Sequence, residues 1–97
     1  MTTARETEAH LLSRCTLMAR EDAGQAQDQR EANVFRLAAM VVQSRFPNES
    51  SRLMHASERY FATHPNERLA AQDVVRQGWV VSLPRLRDML SFQLRGP

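Results

Sequence analysis

The chain has 97 residues, a formal charge of +2 and 25% charged residues, which suits one folded helical domain over residues 1–97 and argues against a disordered chain. All thirteen basic residues are Arg and none is Lys, so Schiff-base, P-loop-lysine and Ser–Lys chemistries are excluded. Arg-only usage is most simply the codon bias of a GC-rich bacterium or its phage, with guanidinium forks as the functional alternative.

Thr3-Ala-Arg-Glu6 has the spacing of a capping box and opens the first predicted helix. Leu11, Cys15, Met18 and Asp22, flanked by Leu12 and Ala19, mark one face of that helix up to about Arg20. Cys15 is the chain's one cysteine; its place on this face makes it core rather than redox-active, and it excludes an internal disulfide. The polar segment Glu21–Gln29 contains Gly24 and favours a break over a single long N-terminal helix.

The longest apolar-rich run is Glu31–Phe46. Val34, Leu37, Val41 and Arg45 follow at helical spacing, and Phe35, Ala38, Ala39, Val42 and Phe46 fill a neighbouring strip. A surface that wide needs at least two partners. Val34, Phe35, Leu37, Val41, Val42 and Phe46 are therefore the expected seam, either of a small core or of a homodimer.

Pro47 is expected to end this helix, with Ser50 or Ser51 capping a third over Arg52–Thr63. Leu53, Ala56 and Tyr60 define its inner side, beside Met54 and Phe61, before His64-Pro65 stops it. Asn66 is the expected cap of a fourth helix, Glu67–Gln77, with Gly78 as its left-handed C-cap. After the apolar linker Trp79-Val80-Val81, Ser82 caps a last helix with Pro84 in its first turn. Leu83, Leu86, Leu90 and Leu94 form its stripe, with Met89 and Phe92 beside them. The fold class is all-α: a bundle of four to five helices around a central apolar helix, with dimerisation as one way to complete it.

No nucleophile elbow, Gly-rich phosphate loop or Cys-x-x-Cys occurs. His55 and Glu58 share a helical face, with His64 further on, but this spacing arises commonly by chance and two more carboxylate-bearing helices would be needed to complete a metal site. The expectation is no enzyme, no metal, no cofactor and no small-molecule substrate. The N-terminus lacks a signal-like apolar region and no run has the length of a membrane span, so no membrane association and a cytoplasmic location are expected.

Two binding roles remain. Residues 1–50 carry six Arg and seven acids, −1, and residues 51–97 seven Arg and four acids, +3, which gives the C-terminal half a mild preference for an acidic partner. Trp, Met and Arg are the types enriched in protein interfaces. The first expectation is therefore a small regulatory or adaptor protein, such as an anti-activator of a transcription factor or an inhibitor or chaperone of an assembling complex. Its partner surface would be Trp79, Val80, Val81, Arg85, Arg87, Met89 and Phe92, although Trp79 is equally suited to plug the core. The alternative is a helix-turn-helix DNA-binding regulator over residues 69–94, which needs Arg85 and Arg87 exposed on one face. Asp88, the long apolar turn and the low net charge weigh against it.

Overall fold

The computed structural model describes residues 8–21 and 24–96. Five α-helices and no strand occur among them: α1 (Glu8–Glu21), α2 (Gln29–Val42), α3 (Pro47–Thr63), α4 (Ala71–Arg76) and α5 (Leu83–Leu94), with a 3-10 turn at Pro65–Glu67. The all-α bundle around a central helix is the observed architecture. Among the described residues no helix is long and apolar enough to cross a membrane.

The central helix is α2, which packs most extensively on α3 and also touches α1, α4 and α5. Val34, Phe35, Leu37, Ala38, Ala39 and Val42 are buried, and Val41 and Phe46 are half-buried against the same cluster. This strip therefore lies within the core of one chain. Ala32, Ala38 and Ala39 add little bulk and let neighbouring backbones approach closely. Leu11, Leu12, Cys15, Met18 and Ala19 of α1 complete one side of the core. Burial pushes the Cys15 thiol far above its ordinary pKa, and the nearby Glu31 carboxylate adds to that, so Cys15 is packed as a small apolar group.

The break at Gly24 is present, and Gly24 has φ +100°, a conformation that favours glycine. The expected Thr3–Glu6 capping box and Asp22 lie outside the described residues. A related cap, in which the N3 carboxylate reaches the amide just before the N-cap, begins the second helix. Asp28 is the N-cap and its side chain accepts from the Glu31 amide at 2.9 Å. Glu31, fully buried, in turn accepts from the Gln27 amide at 3.0 Å and from Arg14 Nε at 2.9 Å. One carboxylate thus joins α1, the connection and α2.

Three boundaries differ from expectation, each for a local reason. The second helix stops at Val42 rather than Phe46, because Pro47 disfavours helical geometry at Phe46, which adopts φ −133°, ψ 68°. Pro47 then starts α3 itself, since its missing N–H costs nothing at a first helical position. Ser50 is consequently inside α3 rather than its cap, and its hydroxyl donates to the Ala39 carbonyl at 2.6 Å across the α2–α3 contact.

The fourth helix begins at Ala71, not Glu67, because buried Asn33 competes for the preceding segment. Asn33 Nδ2 donates to the carbonyls of Gln29 (2.9 Å) and Glu67 (3.0 Å), and Oδ1 accepts from the Leu69 amide at 2.8 Å. Gln29 donates to the Glu67 carbonyl and Arg36 to the Leu69 carbonyl. These three polar residues, spaced one and two turns apart on α2, hold the chain after the 3-10 turn, residues 68–70, in a non-helical path.

Replacing Glu31 with Ala removes the contact between Arg14 and α2 and the acceptor of the Gln27 amide and leaves a cavity at a fully buried site, and is expected to lower unfolding free energy by about 3 kcal/mol in a urea titration. A second outcome concerns Tyr60, the only tyrosine. Its hydroxyl donates to Glu67 at 2.5 Å, and this bond, with desolvation, pushes its pKa up from 10 to about 12. Below the ordinary value folded and unfolded chains both hold the phenolic proton; above it the unfolded chain ionises first. Stability is therefore expected to fall as pH rises through that interval, and Glu67→Gln should move the 295 nm ionisation midpoint downward.

Candidate functional site

The C-terminal helix is fixed by signals that act over a few residues. α4 ends in a Schellman arrangement: Gly78, φ +81°, donates to the Val75 carbonyl at 2.9 Å and Trp79 to the Val74 carbonyl at 3.3 Å. Ser82 accepts from the Arg85 amide at 3.2 Å, and Pro84 occupies the first turn of α5. Leu86, Leu90 and Leu94 are buried and Leu83 is half-buried, so the leucine stripe faces the core.

Both ends of α5 are tied to α1, and the two helices run parallel. Glu8 accepts from the Val81 amide at 3.1 Å beside the start of α5. Arg20 donates to the carbonyls of Gln93 (2.7 Å) and Leu94 (3.2 Å) at its end. A carboxylate at the N-terminus and a guanidinium at the C-terminus each complement the dipole of α5.

The predicted surface residues are divided by this arrangement. Val80 is 3% exposed and belongs to the core, which removes it from the surface. Trp79 is half-buried and packs against that core. Val81 is 55% exposed and Phe92 71% exposed. Arg85, Met89 and Phe92 meet along a groove of about 450 Å³ whose remaining walls are Leu12, Asp88 and Gln93. A second hollow of about 320 Å³ continues past Gln93 along α1, between Ser13, Thr16, Leu17, Arg20 and Glu21. Leu17 adds exposed apolar surface there.

Arg87 is exposed but not part of this groove, because two residues on an α-helix are separated by about 200° of rotation. Its Nε instead approaches Asp88 at 3.3 Å, an exposed pair of small energetic weight. Arg85 has no ion-pair partner among the described residues. The α1 side of this face, with Leu12 in the groove and Leu17 and Arg20 in the second hollow, was missed by sequence reasoning. Nothing local in either helix signals which exposed residues a parallel pairing brings together.

The His55/Glu58 pair leads elsewhere. Both Glu58 carboxylate oxygens accept from Arg68, at 2.9 and 3.0 Å, which holds the Glu58 carboxyl below the ordinary carboxylate range. Arg68 also lies over the Phe61 ring at 4.5 Å, and His64 stacks on Tyr60 at 4.2 Å. Among the described residues no group of three or more His, Cys, Asp or Glu side chains is placed to hold a metal ion. No protein-family model, curated protein or solved structure matches the chain.

Adjacent valines separate core from surface in one experiment. Val80→Ala is expected to cost more than about 1 kcal/mol of stability through the cavity it leaves, whereas Val81→Ala should stay within about 0.5 kcal/mol. Equal losses in denaturant titrations would contradict the placement of this connection.

Proposed function

We propose that this chain is a non-enzymatic regulatory or adaptor protein that binds a partner protein through the outward face of α5 and the adjoining flank of α1. The observation that carries this reading is Phe92, 71% exposed at the rim of a groove. Burying such a ring on association contributes about 1.5–3 kcal/mol, enough to make it an anchor. Arg85 and Asp88 beside it supply charges of both signs, which select orientation and partner more than they add affinity. The role is that of an anti-activator, inhibitor or assembly chaperone acting by occupancy of another protein's surface.

A DNA-binding role for 69–94 rests on exposed Arg85 near the start of α5, a position from which helix-turn-helix proteins contact bases or phosphates. The protein-binding reading is preferred for two reasons. Arg85 and Arg87 do not share a face, and α4 is only six residues long.

Phe92→Ala is expected to leave helical circular dichroism and thermal midpoint unchanged while eliminating proteins captured by the wild-type chain. Met40→Ala, at another exposed apolar position, on α2, should retain them. Identical capture by both variants would overturn the proposal. In fluorescence anisotropy with random duplex DNA, no salt-dependent binding is expected; sub-micromolar binding lost on Arg85→Ala would establish the DNA reading instead.

A further inference from the structure

The outward stripe of α5 carries a charge pattern that matches its own reverse. Arg85, Asp88 and Phe92 lie within a narrow band on the side of α5 opposite Leu86, Leu90 and Leu94, Val81 stands in the connection just before the helix, and all four are exposed. In sequence the four are symmetric about a point between Leu86 and Arg87. Arg85 and Asp88 lie equally far on either side of that point, and so do Val81 and Phe92. A second copy of this helix laid antiparallel across the stripe, with a two-fold axis at that point, meets each residue with the mirror position of its twin.

We propose that a second copy of this chain occupies the stripe, forming a two-fold dimer in which the two α5 helices run antiparallel. Arg85 of each copy meets Asp88 of the other, and Phe92 of each meets Val81 of the other. Two ion pairs and two apolar contacts form from four residue types. The proposal rests on the reading of this face as a protein-binding surface and names its occupant. Three features of the molecule favour a second copy.

The first is charge complementarity: a heterologous helix would need an acid and a base at the matched spacing, and α5 itself has them. The second is availability. Arg85 has no ion-pair partner among the described residues, and the Arg87–Asp88 contact at 3.3 Å is exposed and readily exchanged. The third is the burial of Val34, Phe35, Leu37 and Val42 inside the chain, which leaves the other expected dimer seam occupied. A single pair of twelve-residue helices buries an area at the low end of specific interfaces, below about 1,200 Å². The dimer is therefore a weak, exchanging one.

Sedimentation equilibrium across a concentration series tests this with two charge reversals, Arg85→Asp and Asp88→Arg. Each alone places like charges opposite one another and should weaken self-association by at least about tenfold, taking the two facing pairs per dimer together. Mixing the two variants is the decisive arm. The two acids on one copy then face the two bases on the other, so heterodimers should form where neither variant associates alone. The double variant R85D/D88R should self-associate like wild type. Circular dichroism of each variant guards against a folding defect, which the mixing experiment would also reveal.

A wild-type chain that stays monomeric at high concentration overturns the dimer. If Phe92→Ala still eliminates capture of another protein in that case, the stripe serves a heterologous partner and the protein-binding reading stands. If Phe92→Ala has no effect there either, both fail. Self-association that ignores the charge reversals places the dimer on a different surface and also overturns the proposal.

Discussion

The arrangement of the first two helices depends on one carboxylate with no solvent contact. Glu31 is fully buried and accepts from the Gln27 amide and from Arg14 on α1, while its own amide is held by Asp28. Desolvating a charge is costly, and the cost is met only when every donor is in place. The same residue therefore starts α2, fixes the end of the connection and sets the position of α1. Since α1 in turn holds both ends of α5, the candidate binding face inherits its geometry from an ion pair near the N-terminus of the central helix.

A similar economy governs the opposite side of α2. Asn33 uses its amide nitrogen and oxygen on backbone groups of Gln29, Glu67 and Leu69, and Arg36 reaches the Leu69 carbonyl beside it. A buried amide with its bonding capacity filled specifies one path for a segment whose sequence would otherwise extend a helix. This is why α4 is short. The helix that a helix-turn-helix would require is truncated by polar contacts from a helix more than thirty residues earlier in the chain.

The contrast between elements that were legible in the sequence and those that were not follows the range of the deciding interaction. Gly78, Ser82, Pro84 and the leucine repeat act within a turn or two of one another, so α5 and its entry could be read residue by residue. Pro47 is equally local but ambiguous, since the same ring that ends one helix can begin another. Asp28-Gln-Arg-Glu31 was a readable capping signal obscured by the more apolar stretch behind it. The start of α4 was not readable at all, because Asn33 and Arg36 act on it through tertiary packing. The candidate surface was legible by half: Met89, Phe92 and Arg85 come from one helical repeat, whereas Leu12, Leu17 and Arg20 join them only because α1 and α5 are parallel. Val80 and Arg87 could not be separated from their neighbours without knowing which way the connection and the helix turn.

A surface held at both ends is a better receptor than one on a loose hairpin. Glu8 at the start of α5 and Arg20 at its end fix the helix in register along α1, and each contact also offsets part of the helix dipole. Val81, Arg85, Asp88 and Phe92 are thereby presented at constant spacing before any partner arrives. The ordering cost that limits affinity in a small interface is confined to the Arg85 and Phe92 side chains rather than to backbone. For a helix of twelve residues, whose contact area is modest, that preorganisation decides whether a few anchors suffice. The folding of α1 against α2 and the recognition chemistry of α5 are in this sense one problem: the ion pair that orders the former fixes the platform on which the latter stands.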